Sequence, residues 1–284
     1  MGVRNRTASS GMTPRLLTPA DIPAGMRLKD AAGWNQTEAD WRNVLAVAPE
    51  GCFGIDCDGA LRATTTTICY GRELAWIGMV LTDPEYRGRG LARRLIEHTL
   101  EYLRRERVSW IKLDATSMGR PVYERLGFRD EAVIERWVRK PGRIEPHQDL
   151  TGPFVLDAAL DGEAFGADRA PLLRVLSGIE STSIAGSGFA MGRAGSVASY
   201  FGPCVARSRD AARDLLAWFL ARHGQENIYW DILAANREAV ELARESGFER
   251  ARELVRMRLA DDDDAPPLRN HDTLVFAAAG FEYG

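Results

Sequence analysis

The chain has 284 residues, of which 45% are hydrophobic and 27% are charged, so it is long enough for one large or two ordinary domains. This balance excludes a disordered, collagen-like or coiled-coil protein. With 37 basic and 40 acidic side chains the net charge is -3, which excludes the global basic field of a non-specific nucleic-acid binder. No apolar stretch approaches the roughly 20 residues of a membrane span, so we expect a cytoplasmic protein with no membrane partner.

The first half of the sequence alternates helical and strand-like segments. Residues 1–13 are rich in Ser, Thr, Arg and Gly and are predicted to be a disordered leader. Apolar periodicity then predicts helices over 20–32, 36–47, 91–107 and 119–126. Runs of β-branched and aromatic residues predict strands over 52–57, 61–70, 74–82, 110–115 and 133–138, the first three forming an antiparallel meander.

The second half repeats the first. Gly127-Phe128 recurs 120 residues later as Gly247-Phe248, and the apolar stripe of helix 91–107 recurs at the same offset. The Pro- and Gly-rich stretch 141–152 is predicted to be a linker between units 14–140 and 153–284. The apolar stretch 273–280 is predicted to be a last strand that completes the second unit. Two copies of one α/β unit are therefore expected.

A glycine-rich loop stands between a strand and the long helix of the first unit. Gly88 and Gly90 permit positive φ, and a helix N-terminus offers unpaired N–H groups to an anion. Arginines at 87, 89, 93 and 94 add positive charge that suits phosphate oxygens. The spacing is neither that of a Walker loop nor GxGxxG, which disfavours nucleotide hydrolysis and dinucleotide binding. Glutamates at 97, 101 and 106 interrupt the charges, which disfavours nucleic acid as a partner. The cysteines and histidines lack metal-ligand spacing, so no metal is expected.

These residues resemble the GNAT superfamily of N-acetyltransferases over about 14–140. Arg87-x-x-Gly90-x-Ala92 is similar to its [QR]xxGx[GA] pyrophosphate motif, and Tyr123-x-x-x-Gly127-Phe128 to its YxxxGF motif. Gly33-Trp34-Asn35-Gln36 and Asp40-Trp41 resemble the first two helices of one bacterial subgroup. The resemblance implies an α/β (α+β) fold of two tandem GNAT-like domains, each a mostly antiparallel sheet with a splayed parallel pair.

The resemblance further implies acetyl-CoA as the acetyl donor and direct attack by an acceptor amine in a ternary complex. Contacts to acetyl-CoA are implied along the fourth strand, the loop and the fifth strand, at Met79, Val80, Leu81, Arg87, Gly88, Arg89, Gly90, Leu91, Ala92, Thr116 and Gly119. Thr116 departs from the pattern, because an Asn is common there. The acceptor is expected to be the primary amine of a small molecule or peptide.

Tyr123 occupies the position of the family's general acid, where a phenol protonates the departing thiolate. The general base stays open between Glu73, Asp114 and a water chain. Aromatic and polar residues are expected to wall the acceptor cleft or to form core, namely Trp34, Asn35, Trp41 and Trp76.

The second unit lacks the residues that matter in the first. Ser208, Asp210 and Ala243 replace Gly88, Gly90 and Tyr123, and Pro203 removes an N–H from the corresponding strand. We therefore expect the second domain to be degenerate and to bind no acetyl-CoA. An alternative is a non-catalytic acyl-CoA sensor. The sequence leaves monomer and homodimer open.

Overall fold

The computed structural model describes residues 12–143, 150, 152–260 and 268–284. Most of the predicted leader and linker therefore lies outside the described residues. The first repeat contains strands β1 (Arg15–Leu16), β2 (Phe53–Cys57), β3 (Ala60–Tyr70), β4 (Leu74–Thr82), β5 (Trp110–Ala115) and β6 (Arg129–Arg139). Its helices are α1 (Ile22–Ala31), α2 (Glu38–Val47), α3 (Leu91–Glu106) and α4 (Arg120–Glu124).

From its first helix to its fifth strand, the second repeat has the same order of elements as the first has from α1 to β6, and a further strand follows. Its helices are α5 (Ala158–Phe165), α6 (Ala170–Ser177), α7 (Arg209–His223) and α8 (Arg237–Glu245). Its strands are β7 (Glu180–Ile184), β8 (Gly188–Arg193), β9 (Ser199–Ala206), β10 (Ile228–Leu233), β11 (Glu249–Ala260) and β12 (Val275–Ala277). Across the described residues, no helix is long and apolar enough to cross a membrane.

All of these strands join one 12-stranded sheet in the order β1-β2-β3-β4-β5-β11-β6-β10-β9-β8-β7, with β12 paired to β9. The predicted meander of β2, β3 and β4 is antiparallel, as expected. The repeats also exchange strands: β11 of the second repeat pairs with β5 of the first, and β6 of the first pairs with β10 of the second. The exchanged strands pair antiparallel with each other at the centre. Each half of the sheet is therefore completed by the other repeat.

Helices cover both faces of this sheet. On the first face, α3 and α4 pack over one half and α7 and α8 over the other, in two separate apolar clusters. On the second face, α1, α2, α5 and α6 share one cluster to which both repeats contribute. Successive strand residues point to opposite faces, so each strand contributes side chains to the packing on both faces of the sheet. The second face is therefore one continuous interface between the repeats.

Two buried ion pairs fasten the exchanged strands on the second face. Arg136 of β6 donates to Asp231 of β10, with Nε–Oδ1 and Nη2–Oδ2 distances of 2.8 and 2.6 Å. Arg256 of β11 donates to Asp114 of β5 at 2.9 and 3.2 Å. The two arginines occupy equivalent positions of the repeats, and each pair joins one repeat to the other. A guanidinium that donates two parallel hydrogen bonds to a carboxylate fixes the register of the two strands and also offsets the buried charge.

The parallel strands of each half diverge after three paired positions, but only the second gap is filled. Strands β4 and β5 pair from Leu74↔Trp110 to Trp76↔Lys112 and then separate, leaving a wedge. Strands β9 and β10 separate likewise, and β12 lies against β9 there. The N–H of Ala278 donates to the carbonyl of Asp231 on β10 at 3.0 Å. The predicted last strand therefore occupies the second wedge, and only its central part is regular strand.

Removing one partner of an exchanged ion pair should destabilise the fold. Arg136→Met leaves the carboxylate of Asp231 buried without its cation, and we expect it to lower the free energy of unfolding by about 3–5 kcal/mol. Adding Asp231→Asn to that variant should recover most of the loss. Arg42→Met, which breaks an exposed pair with Glu38, should cost less than about 1 kcal/mol. Urea titrations of the four proteins test this, and equal losses for the two arginine variants would contradict it.

Candidate active site

The glycine-rich loop forms an open cradle at the start of α3. Gly88 and Gly90 have φ angles of 75° and 80°, and a Cβ on either would meet no atom within 4 Å. Gly90 is the N-cap of α3, so the first N–H groups of the helix face outward without intrahelical partners. Arg87 and Arg89 are exposed beside them. This arrangement can hold a phosphate group by backbone donors and fixed charge.

Tyr86 anchors the loop to the sheet. Its ring lies between the guanidinium groups of Arg62 and Arg89, at 4.6 and 4.5 Å from the ring centroid. Its hydroxyl donates to Asp58 at 2.5 Å. Arg62 also pairs with Asp83 at 2.7 Å, where the loop begins. These contacts hold the cradle in place without using its outward N–H groups.

A bulge in β4 shapes the edge of the first wedge. Met79 has a φ of 44°, and the register of β3 and β4 shifts between Thr64 and Thr66. The hydroxyl of Thr64 donates to the carbonyl of Met79 at 2.9 Å, which holds the bulge. A bulge turns the strand away from its neighbour and re-aims backbone groups. The predicted contact segment Met79 to Leu81 therefore lies at the open edge of the wedge.

Tyr123 lies on the first face beside the same wedge. Its side chain is 7% exposed and meets the ring of Phe128 edge-on at 5.9 Å. Gly119 lies against the ring, where a Cβ would be 3.1 Å from it, and its N–H donates to the hydroxyl of Thr116. Burial raises the pKa of Tyr123. Among the described residues the tyrosine hydroxyl has no hydrogen-bond partner, so it is available to a ligand.

The structure corrects both carboxylates expected from the sequence as bases. Glu73 is exposed in the turn before β4, at the paired end of β4 and β5. Six residues separate it from Met79, which is roughly 20 Å along a strand. Asp114 has a fully buried side chain, and both of its oxygens accept from Arg256. Glu73 lies too far from the wedge to act as a base there. Asp114 is engaged in the ion pair that joins the exchanged strand β11 to β5.

The four residues expected at the acceptor cleft are largely structural. Asn35 is buried and bonds three backbone groups of the β8–β9 loop, at Val197 and Ala198. Trp41 is buried on the second face, where it packs on α1, and Trp34 is half-buried against the same cluster. Trp76 is fully buried, and its Nε1 donates to the carbonyl of Phe281 at 3.0 Å. Of the two alternatives that the sequence left open, a cleft wall or core, burial favours core for Trp41 and Trp76.

Sequence reasoning missed the segment that covers the second face of the wedge. After β12, residues 278–284 cross from the second repeat onto β4 of the first. A Cβ on Gly78 would lie 2.7 Å from Cα of Glu282, so the two backbones touch. A glycine inside a strand is the signal that could have shown this approach. The same segment places the buried carboxylate of Glu282 beside the wedge.

The corresponding loop of the second repeat is closed to anions. Ser208 is the N-cap of α7 in an extended conformation, and its hydroxyl accepts from the N–H of Ala211. Asp210 adds a carboxylate in the first turn and pairs with Arg213 at 2.5 Å. A serine cap and an acidic first turn satisfy the helix end internally. With β12 in its wedge as well, the second half presents neither part of the site.

Comparison with known families agrees with this geometry. The model of the acetyltransferase (GNAT) family matches residues 24–128, and that of an acetyltransferase (GNAT) domain matches residues 158–276. The chain is a GNAT acetyltransferase with two GNAT domains in tandem. GNAT enzymes transfer an acyl group from acetyl-CoA to an amine. The open cradle and wedge of the first domain fit a long donor that carries a pyrophosphate.

Several known proteins are similar to this chain over most or part of its length. The chain is 28% identical over 263 residues to the uncharacterized N-acetyltransferase YitH of Bacillus subtilis, covering 86% of each. A 59-residue segment is 41% identical to a glucosamine 6-phosphate N-acetyltransferase of Trypanosoma brucei brucei, covering 21% of this chain and 40% of that one. An acetyltransferase structure from Pyrococcus horikoshii has a TM-score of 0.86 at 23% identity, covering 100% of this chain and 99% of that one.

Charge in the cradle should control donor affinity. Gly90→Asp puts a carboxylate where pyrophosphate is expected, and we expect it to weaken acetyl-CoA binding by well over tenfold. Gly90→Asn is the matched control, because it has the same shape without charge and Asn tolerates positive φ. Titration calorimetry should find the Asn variant much closer to the unmodified protein. Equal affinities for the Asp and Asn variants would show that charge is not what matters.

The two GNAT domains should also differ in stoichiometry. We expect calorimetry with acetyl-CoA to find one site per chain, because the second wedge holds β12 and the second helix cap is satisfied by Ser208. A stoichiometry of two would contradict this interpretation.

Proposed function

We propose that the first GNAT domain acetylates the primary amine of a small molecule or peptide, using acetyl-CoA in a ternary complex. The observation that carries the proposal is the joint placement of the open cradle at Gly88 and Gly90 and the open wedge between β4 and β5. The second GNAT domain is non-catalytic in this proposal. It contributes β11 and segment 278–284 to the first domain instead.

The donor would be held by backbone groups on two sides. The N–H groups of α3 and the exposed arginines of the loop would take the pyrophosphate. The open edge of β4 near Met79 would pair with the pantetheine, since its backbone groups have no strand partner there. Bound acetyl-CoA supplies the acetyl thioester. The cradle lies at the start of α3, on the first face. A pantetheine chain that runs from the cradle through the wedge would therefore reach the second face.

The reaction requires a proton for the thiol that leaves. Tyr123 lies beside the wedge on the first face, and its hydroxyl is free to donate. Because burial raises its pKa, the phenol stays protonated at neutral pH and beyond pH 10. A raised pKa also makes it a weaker acid, so a bound donor must lower that pKa for full transfer.

Thiol release distinguishes an enzyme from a sensor. The protein is incubated with acetyl-CoA and a wide panel of primary amines, and free CoA thiol is measured against a reaction without amine. At least one amine should release thiol and gain an acetyl group by mass spectrometry. Tight acetyl-CoA binding without thiol release for any amine would overturn the proposal and favour a non-catalytic acyl-CoA sensor.

Removal of the Tyr123 hydroxyl should affect turnover alone. In Tyr123→Phe we expect kcat to fall by roughly 10²- to 10⁴-fold, because general acid catalysis contributes that much. Acetyl-CoA affinity and the melting temperature should change little, since the ring stays and the hydroxyl bonds no described residue.

Tyr102→Phe is the matched control, because it removes a hydroxyl from α3 on the same face. It should retain kcat. Any fall of kcat at high pH in the unmodified enzyme should be absent or displaced in Tyr123→Phe. Unchanged kcat and pH profile in Tyr123→Phe would show that this tyrosine only packs.

A further inference from the structure

Two carboxylates share one guanidinium on the second face behind β4. Arg193 of β8 donates from Nε to Asp40 of α2 at 3.0 Å and from Nη2 to Glu282 at 2.7 Å. All three side chains are less than a tenth exposed. When both carboxylates are ionised, the cluster carries one negative charge more than its cation offsets, and buried excess charge is costly unless a partner is present.

Only one of the two carboxylates has room for a further partner. Asp40 accepts from Arg193 and Tyr283 on one oxygen and from the N–H and hydroxyl of Thr37 on the other. Among the described residues, Glu282 accepts from Arg193 on Oε1 and from Gln36 Nε2 on Oε2, at 2.7 Å each, and its own backbone N–H is a third donor. A carboxylate offers about four acceptor positions. Asp40 is saturated, whereas Glu282 can accept more hydrogen bonds.

Unpartnered polar atoms lie at the same place. Gln36 is 6% exposed, and its Oε1 has no partner although its Nε2 is bonded to Glu282. Thr66 is fully buried with an unpartnered hydroxyl, and it pairs across the strands with Gly78. Buried polar groups normally have hydrogen-bond partners, so these two oxygens are available to a polar ligand. Both oxygens can accept from an ammonium group.

The position matches the inner end of the wedge. The backbone of Glu282 touches Gly78, which is two residues beyond Trp76, the last residue of β4 that pairs with β5. Two strand residues span roughly 7 Å. Glu282 is therefore beside the point where a donor that passes through the wedge would reach the second face. Tyr123 lies on the opposite face of the same opening.

We propose that Glu282, supplied by the second GNAT domain, binds the acceptor ammonium and takes its proton, with Gln36 and Thr66 as further acceptors. This inference rests on the proposed acetyl transfer. The acceptor is accordingly a cationic primary amine rather than an anionic or hydroxyl substrate.

The proposed step balances. The ammonium gives one proton to Glu282, and the freed lone pair forms the bond to the thioester carbonyl carbon. The carbon–sulfur bond breaks with its electron pair on sulfur, and the second N–H proton reaches that sulfur through Tyr123. Glu282 then releases its proton to water. The products are one amide, one thiol and one proton.

The surroundings of Glu282 suit a base. Burial raises the pKa of Glu282, and Asp40 adds to this effect while Arg193 opposes it. Four other titratable groups interact electrostatically with Glu282. They lie on β3, β6, β9 and segment 278–284 and are Tyr70, Arg136, Tyr200 and Tyr283. All four keep their protons at neutral pH, so Glu282 is the group expected to titrate.

The test compares Glu282→Gln with Asp161→Asn, which neutralises another buried carboxylate paired with an arginine. With an amine that the unmodified enzyme acetylates, kcat/KM of Glu282→Gln should be lower by roughly 10²-fold or more. The low-pH limb of the profile, which is the decrease of kcat/KM as the pH is lowered, should be absent in this variant. Acetyl-CoA affinity should stay unchanged by calorimetry. Asp161→Asn should keep the limb and most of the rate. A normal rate with the limb retained in Glu282→Gln would overturn the inference while leaving acetyl transfer intact.

A second readout needs no turnover. With CoA bound, n-butylammonium at millimolar concentration should raise the melting temperature of the unmodified protein and of Asp161→Asn but not of Glu282→Gln, and n-butanol should raise none. Equal shifts in all three proteins, or none in the unmodified protein, would overturn the ammonium site. If Glu282→Gln does not fold, Glu282→Asp replaces it. That variant should keep the pH limb with a lower kcat, and an unchanged kcat would overturn the proposal.

Discussion

The exchange of β6 and β11 is the constraint on which the rest of the structure depends. Each strand completes the half of the sheet that belongs to the other repeat, so neither repeat has its full sheet alone. The pairs Arg136–Asp231 and Arg256–Asp114 lie where the exchanged strands meet their new neighbours. Removing a guanidinium there leaves a carboxylate in a dry interior, so the register of the exchange is strongly specified.

The same topology leaves two wedges, and the chain treats them differently. In the second GNAT domain the gap between β9 and β10 holds β12, which satisfies backbone groups that a ligand would otherwise bond. In the first domain the gap between β4 and β5 stays open and has the Met79 bulge at its edge. The proposed difference in donor binding between the two domains is thus explained by where one short strand lies.

In the proposed mechanism, the exchange also gives the second domain a role in the chemistry of the first. Because the second face is one continuous cluster, the segment after β12 passes directly onto β4. It brings Glu282 and the neighbouring Arg193 to a face that the first domain supplies with Gln36 and Asp40. A non-catalytic copy can be retained for this reason, since the proposed acceptor site on the second face is incomplete without it.

The sequence by itself determined the local features. Periodicity and turn residues gave the order of elements, and the spacing of Arg87, Gly90 and Tyr123 indicated the family and the loop that α3 begins, because these signals act over a few residues. It did not determine which strands β6 and β11 pair with, since the two have equivalent patterns and either could pair within its own repeat. Asp114 and Trp76 were therefore predicted as site residues, but the structure places them in the interior. Glu282 was not predicted as a site residue. Only the tertiary structure decided these, because burial, ion pairing and strand exchange depend on contacts between residues far apart in the chain.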